Sequence, residues 1–232
     1  MGEDIAAKGR SDRLRIWDAP VRLFHWALVL LIGAAWWTAE QRMLDLHRLA
    51  GYSILALILF RILWGFVGSD TARFSSFVRG PVGVARYVAV PMFRRGPSSA
   101  LPGHNPLGGW SVVAMLALLL TQVLLGLISV DVDGIESGPF ANLVDFDTGR
   151  AAAEWHEFLF NLLLGVIGLH VAAVLFYLLY RRDNLIMPMV TGARAWAGEA
   201  PALRFATLRR GAILFAGCAL LVWLLIAYAS GY

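Results

Sequence analysis

Four of the five histidines in this chain lie inside apolar segments that are long enough to cross a membrane. An ionisable side chain at membrane depth is costly and uncommon, so each of the four is a candidate functional residue. Apolar runs of about 18 residues or more with few charges predict transmembrane helices. Five such runs occur, at about residues 21–39, 46–67, 110–130, 155–180 and 211–229. The chain is therefore predicted to be an all-α integral membrane helical bundle with five transmembrane helices.

The composition agrees with this class. Hydrophobic residues make up 59% and charged residues 16% of the 232 residues, a balance that does not suit a soluble domain. No stretch is long and polar enough for a second, soluble domain, so residues 1–232 are predicted to form a single membrane domain. The only cysteine, Cys218, lies in the fifth apolar run, so no disulfide is expected.

The distribution of charge predicts an orientation. The N-terminal arm and the 68–109 and 181–210 loops lie on one side of a five-span topology and hold 16 of the 20 basic residues. The positive-inside rule makes that side cytoplasmic, which places the N-terminus in the cytoplasm and the C-terminus in the periplasm. The opposite loop, 131–154, has six acidic residues against one arginine. The net charge of +4 thus reflects topology, and no nucleic-acid binding is predicted.

With this topology the four histidines fall at two depths. His25 lies near the cytoplasmic end of the first span, whereas His47 and His156 lie near the periplasmic ends of theirs. His170 follows His156 by 14 residues on the same helix face, about 21 Å deeper. Depth therefore pairs His47 with His156 and His25 with His170. Two imidazoles from facing helices can bind one iron from both sides, so the pattern predicts two haems, one above the other. No CxxCH motif for covalent haem attachment occurs.

Each histidine also has a simpler interpretation. A membrane histidine can form a hydrogen bond within the bundle or relay protons, and His47 and His156 are close enough to the surface to be interfacial residues. The matched depths of two pairs favour ligation. His104 lies in a polar loop and is predicted not to be a ligand, with a role at a quinone or a haem propionate as the alternative. Tyr87 and Tyr177 are predicted to be interfacial aromatic residues.

Arg61 lies 14 residues after His47, at the depth of the deeper histidine pair. An arginine in this apolar run needs an anionic partner, which the propionates of a haem would supply. Alternatively, its side chain extends to the cytoplasmic headgroups. The nearby segment 81–93, which is apolar and basic, is predicted to lie along the cytoplasmic membrane surface.

Several long segments resemble the bacterial cytochrome b561 family, and most closely its branch of b-type cytochrome subunits of nickel-iron hydrogenases. They are RIWDAPVRLFHW, LHRLAGYSILALILFRILWGFVG, GHNPLGGW, EWHEFLFNLLLGVIGLHVAAVLFY and RRDNLIMPM. The resemblance implies a four-helix haem-binding core over residues 14–192 and an extra C-terminal helix over 209–230, as in the subunit type. The haem-ligand histidines of the family correspond to His25, His47, His156 and His170.

The resemblance also implies a function. Two b-type haems in the bacterial inner membrane would pass electrons between a periplasmic redox partner and the membrane quinone of a respiratory chain. The partner would be a c-type cytochrome or a hydrogenase-like subunit, and the acidic 131–154 loop is its candidate docking surface. We therefore expect an electron-transfer subunit of an oxidoreductase rather than an enzyme that acts alone. Glu157, Asp183 and Arg61 are candidates for tuning the haem potentials.

Two other classes of function are left open by the residues. One is a stand-alone quinone-linked oxidoreductase that takes electrons from a small donor such as superoxide at the periplasmic haem. The other is a proton or metal transporter that uses the histidines as a relay or as ligands. Transporters usually have internal repeats and helices broken by glycine or proline, and neither is evident in this sequence.

Overall fold

The computed structural model describes residues 13–89, 102–196 and 199–229. The α-helices in these ranges are α1 (Ala19–Glu40), α2 (Leu44–Val67), α3 (Phe74–Phe77), α4 (Pro81–Ala89), α5 (Pro106–Ile128), α6 (Phe146–Leu179), α7 (Ile186–Thr191) and α8 (Leu208–Ala229). Short 3₁₀ turns occupy Asp70–Ala72 and Ala141–Leu143. The strands β1 (Arg13–Arg15) and β2 (Ala193–Ala195) pair antiparallel, with Leu14 opposite Arg194.

Five of these helices, α1, α2, α5, α6 and α8, are long and apolar enough to cross a membrane. The predicted all-α, five-span membrane bundle is thus confirmed. Helix α6 begins at Phe146, well before its apolar run at about residue 155. Its 34 residues extend about 51 Å, which exceeds the roughly 30 Å of a hydrocarbon core, so its first turns project beyond the apolar layer. Helix α4 covers 81–89 of the predicted interfacial segment, and 90–93 lie outside the described residues.

The starts of three spanning helices follow from local sequence. Asp18, Asn105 and Asp145 are the N-caps of α1, α5 and α6, and each side chain accepts a hydrogen bond from the backbone N–H three residues on. Prolines at Pro20 and Pro106 occupy the first turns of α1 and α5, where a proline costs no helical hydrogen bond. Asp145 therefore has a structural role in addition to its charge.

The helices define two ends of the bundle. The basic end holds β1 and the described connections 68–89, 102–105, 180–196 and 199–207, and the acidic end holds the 41–43 and 129–145 connections. Helix α2 is central, because it packs against α1, α5 and α8. Helix α6 packs mainly against α5, and buries only Gly149, Ala152 and Leu163. The four membrane histidines lie on α1, α2 and α6.

Hydrogen bonds hold the connections of the basic end in place. The Thr71 hydroxyl donates to the Ile16 carbonyl at 2.5 Å. The backbone N–H of Arg204 donates to the Asp70 carboxylate at 2.9 Å, and that of Ala206 donates to the Ser69 hydroxyl at 3.0 Å. The segment that leads into α8 is thereby fixed to the segment that follows α2.

A buried carboxylate joins α1 to α2 at the same end. Asp18 is fully buried, and its Oδ1 atom accepts from the Val21 N–H at 2.8 Å while Oδ2 accepts from the Trp64 indole at 3.0 Å. Arg61 is also buried, one turn before Trp64, and is attracted electrostatically by Asp18. One carboxylate therefore caps a helix, satisfies an indole N–H and offsets a buried positive charge.

Replacing Asp18 is expected to destabilise the bundle. Asp18→Ala removes the cap and leaves the Trp64 N–H without a partner, which should lower the free energy of unfolding by about 2–4 kcal/mol. Asp18→Asn keeps an acceptor for the cap and should cost less. Thermal unfolding in detergent, followed by circular dichroism, measures both, with Asp133→Ala at an exposed position as the control. Equal stability of the Asp18→Ala and Asp133→Ala proteins would contradict the role of Asp18.

Candidate functional site

His47 and His156, here called the outer pair, meet near the acidic end. His47 lies in the first turn of α2, and His156 lies in the third turn of α6. Their ring centroids are 6.0 Å apart and their ring planes are inclined at 81°. The structure therefore brings these two predicted site residues together from facing helices.

The backbone carbonyls of two other helices orient the outer pair. The Nδ1 atom of His47 lies 2.8 Å from the Ala35 carbonyl on α1, and Nδ1 of His156 lies 2.8 Å from the Gln122 carbonyl on α5. A carbonyl oxygen can only accept a hydrogen bond, so Nδ1 must be the protonated nitrogen in both rings. In a neutral imidazole with this hydrogen bond, the lone pair is on Nε2, and this is the tautomer that binds a metal through Nε2.

His25 and His170, here called the inner pair, lie towards the basic end. Both are half-buried, and they are close enough to interact electrostatically. The Nδ1 atom of His25 is buried and has no hydrogen-bond partner in the described part of the chain. The two residues of the inner pair are therefore neighbours, but His25 lacks the carbonyl contact that fixes each outer ring.

His104 belongs to the same region as the inner pair. Its ring lies between Trp17 and Phe77, with centroid distances of 4.7 and 5.0 Å. Burial, together with the smaller effects of Arg61, His170 and His25, lowers the pKa of His104 to about 3. His104 is therefore neutral at physiological pH. Its place outside any helix was predicted, whereas its approach to the inner pair was not.

Arg61 is buried rather than extended towards the headgroups. Only 2% of the residue is exposed, Nη1 donates to the Ala72 carbonyl at 3.2 Å, and the guanidinium lies 5.3 Å from the centre of the Phe74 ring. The interpretation in which its side chain extends to the membrane surface is therefore wrong. The charge of Arg61 contributes to lowering the pKa of His104, so Arg61 lies near His104, in the region of the inner pair.

A polar cluster at the basic end was missed by sequence reasoning. The hydroxyls of Tyr87 and Tyr177 are 3.0 Å apart, and the Asn105 side chain donates to the Tyr177 hydroxyl at 3.0 Å. Burial and the hydrogen bond with Tyr177 raise the pKa of Tyr87. Tyr177 lies two turns beyond His170 on α6. This seven-residue spacing puts Tyr177 on the helix face of His170, which the sequence could have indicated, but it does not reveal the contacts with Tyr87 and Asn105.

The loop at the acidic end is tied to both helices of the outer pair. Arg48, next to His47, forms ion pairs with Asp45 at 2.6 Å and Glu136 at 2.8 Å. Arg150 of α6 donates to the Val130 carbonyl at 2.9 Å. The 130–137 segment therefore spans from α2 to α6.

The other proposed tuning residues lie apart from each other. Glu157 is exposed, next to His156 on α6. Asp183 is buried at the basic end, where its carboxylate forms an ion pair with Arg194 at 3.3 Å. Asp183 thus holds β2 to the end of α6, which is a structural role.

The arrangement defines a membrane protein with paired histidines between its helices, and the comparison with protein families identifies the class. Residues 16–192 match the family described as prokaryotic cytochrome b561. The chain belongs to this family, which confirms the resemblance seen in the sequence. Family membership makes it a multi-pass membrane cytochrome, and implies b-type haem and transmembrane electron transfer.

A curated relative points to the same branch. The chain is 24% identical over 224 residues to a probable Ni/Fe-hydrogenase B-type cytochrome subunit from Azotobacter chroococcum mcd 1, and the match covers 83% of this chain and 92% of that protein. No solved structure matches the chain.

Proposed function

We propose that this protein carries electrons across the bacterial inner membrane through two b-type haems, between a periplasmic redox partner and membrane quinone. The observation that carries the proposal is the outer pair: two facing imidazoles, each of which donates its Nδ1–H to a helix carbonyl. The family and the hydrogenase cytochrome relative support the electron-transfer role.

The outer pair suits a metal between its rings. Bonds from imidazole nitrogens to metals are about 2 Å long, so ring centroids 6.0 Å apart leave room for one metal atom between two Nε2 atoms. One turn beyond His47, a Cβ at Gly51 would meet nothing within 4 Å, so this face of α2 is clear for a flat macrocycle. We assign the second haem to the inner pair, with Arg61 as a candidate partner for its propionates.

The residues determine what such haems can do. A b-type haem supplies one-electron redox chemistry. His47 and His156 would hold one haem and His25 and His170 the other, and a pair of histidines bound to one iron would leave no open position for oxygen, so the protein would favour electron transfer. The outer and inner pairs lie near opposite ends of the bundle, which gives electrons a route through the low-dielectric layer. The spanning helices are continuous within the described ranges, without the breaks expected of a transporter.

We place quinone at the basic end, beside the inner pair. Quinone reduction consumes protons as well as electrons, so the site needs groups that hydrogen-bond and exchange protons. The neutral imidazole of His104 and the Tyr87–Tyr177–Asn105 cluster supply such groups at this end. Positive-inside topology makes this the cytoplasmic side.

We place the redox partner at the acidic end, on the periplasmic side. Asp133 and Asp147 are exposed there and would attract a partner with a basic docking face. Asp145 and Glu136 are less suitable probes of docking, because Asp145 caps α6 and Glu136 binds Arg48. The relative's name favours an oxidoreductase subunit as the partner of this chain.

Haem content tests the assignment of the two pairs. The purified protein is expected to hold two b haems per chain, and His47→Ala or His25→Ala should reduce this to about one because each removes one axial ligand. A pyridine haemochrome assay on detergent-purified protein measures haem type and content. His104→Asn is the matched control and should retain both haems. Haem-free, well-folded protein from haem-sufficient cells would refute the proposal.

Quinone reactivity tests the cluster at the basic end. Tyr177→Phe should slow haem reduction by a short-chain quinol by about tenfold or more, because the change removes the hydroxyl through which Tyr87 and Asn105 are connected. Stopped-flow absorbance measures this rate, and haem content should be unchanged. Tyr52→Phe, on α2 towards the acidic end, is the control with the same change. Equal quinol rates in the two variants would place quinone elsewhere.

Ionic strength tests docking at the acidic end. The double variant Asp133→Asn/Asp147→Asn should exchange electrons with a basic c-type cytochrome more slowly than wild type at low salt, since two attractive charges are lost. The difference should shrink at about 0.15 M salt, where charges are screened beyond about 8 Å. Glu199→Gln removes an exposed charge at the basic end and serves as the control. Identical low-salt rates for both variants would exclude this docking surface.

A further inference from the structure

Helix α5 contains none of the four membrane histidines, yet it contacts the outer pair at two points one turn apart. The Gln122 carbonyl accepts the Nδ1–H of His156 at 2.8 Å. At Gly126, a Cβ atom would lie 2.9 Å from Cε1 and 3.2 Å from Nδ1 of the His156 ring. Both positions face α6, and together they bound the edge of the imidazole that carries Cε1 and Nδ1.

We propose that Gly126 is a positioning residue for His156, and that with the Gln122 carbonyl it fixes the ring plane of this ligand. This inference rests on the proposed haem between His47 and His156. By this inference α5, which contains none of the four membrane histidines, determines the orientation of one ligand of the outer haem and thereby influences the redox properties of that haem.

Glycine is required here by close approach rather than by backbone conformation. Atoms at 2.9 Å from a Cβ overlap it, so alanine at position 126 would force the His156 ring to move. The ring has little freedom to do so. A shift away from α5 lengthens the hydrogen bond to Gln122, and a rotation about its Cβ–Cγ bond turns Nδ1 away from the carbonyl. An iron bound to Nε2 would restrict the ring further.

The position of the ring has a spectroscopic consequence. The planes of His47 and His156 are inclined at 81°, because α1 supplies the acceptor for one ring and α5 supplies the acceptor for the other. In a low-spin ferric haem, crossed axial imidazoles leave two iron d orbitals nearly equal in energy, whereas parallel imidazoles separate them. Crossed planes therefore predict a strongly anisotropic electron paramagnetic resonance signal for the outer haem.

The test compares Gly126→Ala with Gly217→Ala. Gly217 lies on α8, where a Cβ would meet nothing within 4 Å, so the control makes the same change in a membrane helix away from the histidines. The signal lost in His47→Ala identifies the outer haem. Gly126→Ala is expected to change the anisotropy and the midpoint potential of that haem, or to reduce its occupancy, while the inner haem stays as in wild type. Gly217→Ala should change neither haem.

A purely structural role for Gly126 would lower thermal stability without a selective change in one haem. Two haems with wild-type spectra and potentials in Gly126→Ala would therefore overturn the inference. If the Gly126→Ala protein does not accumulate, the electron paramagnetic resonance spectrum of the wild type tests the inference instead. An outer-haem signal typical of parallel imidazoles would overturn the inference that Gly126 and Gln122 fix the ring plane of His156. Failure of the proposed function looks different: His47→Ala would then retain the haem content of the wild type.

Discussion

The hydrogen bond from an imidazole Nδ1–H to a helix carbonyl is the interaction on which the outer site depends. An unpaired N–H costs several kcal/mol in an apolar medium, and helix carbonyls are the acceptors that a membrane bundle always offers, since each has a second lone pair. His47 uses Ala35 of α1, and His156 uses Gln122 of α5. The requirement thus links all four core helices, because two supply the imidazoles and two supply their acceptors. It also fixes the tautomer, so the protein presents Nε2 before any metal binds.

The two ends of the bundle differ in how the hydrogen-bonding groups of their side chains are paired. This difference agrees with the proposal that the acidic end exchanges electrons with a redox partner and the basic end binds quinone. At the acidic end, the Nδ1 atoms of His47 and His156 each have a backbone acceptor, and the Arg48–Glu136 ion pair fixes the 130–137 segment. Such an environment suits a rigid redox centre. At the basic end, Nδ1 atoms of His25 and His104 are buried without partners in the described residues, near a cluster of tyrosine hydroxyls. Groups of this kind suit proton-coupled chemistry with a bound quinone.

The sequence predicted the helices and the depths of the histidines, because both depend on quantities that run along the chain. Apolar length determines a span, and a rise of 1.5 Å per residue converts the 14-residue spacing of His156 and His170 into depth. Lateral contacts depend on which helix packs against which, and no spacing encodes that. The structure was therefore needed to find three features. These are the contacts of the His156 ring with Gln122 and Gly126, the Tyr87–Tyr177 contact and the burial of His104. Arg61 shows the same limit: its depth was evident, but its proximity to Asp18 was not.

Arg61 can serve the fold and a haem at the same time. Asp18 already offsets its charge within the protein, which explains how an arginine is tolerated at this depth whether or not a cofactor is bound. The hydrogen bond to the Ala72 carbonyl uses Nη1, and a guanidinium has five N–H donors in a fixed fork. Its other donors are chemically suited to a propionate. Asp18 thus attracts the guanidinium from the α1 side, and a propionate from the inner haem would add a second anionic partner for the same charge.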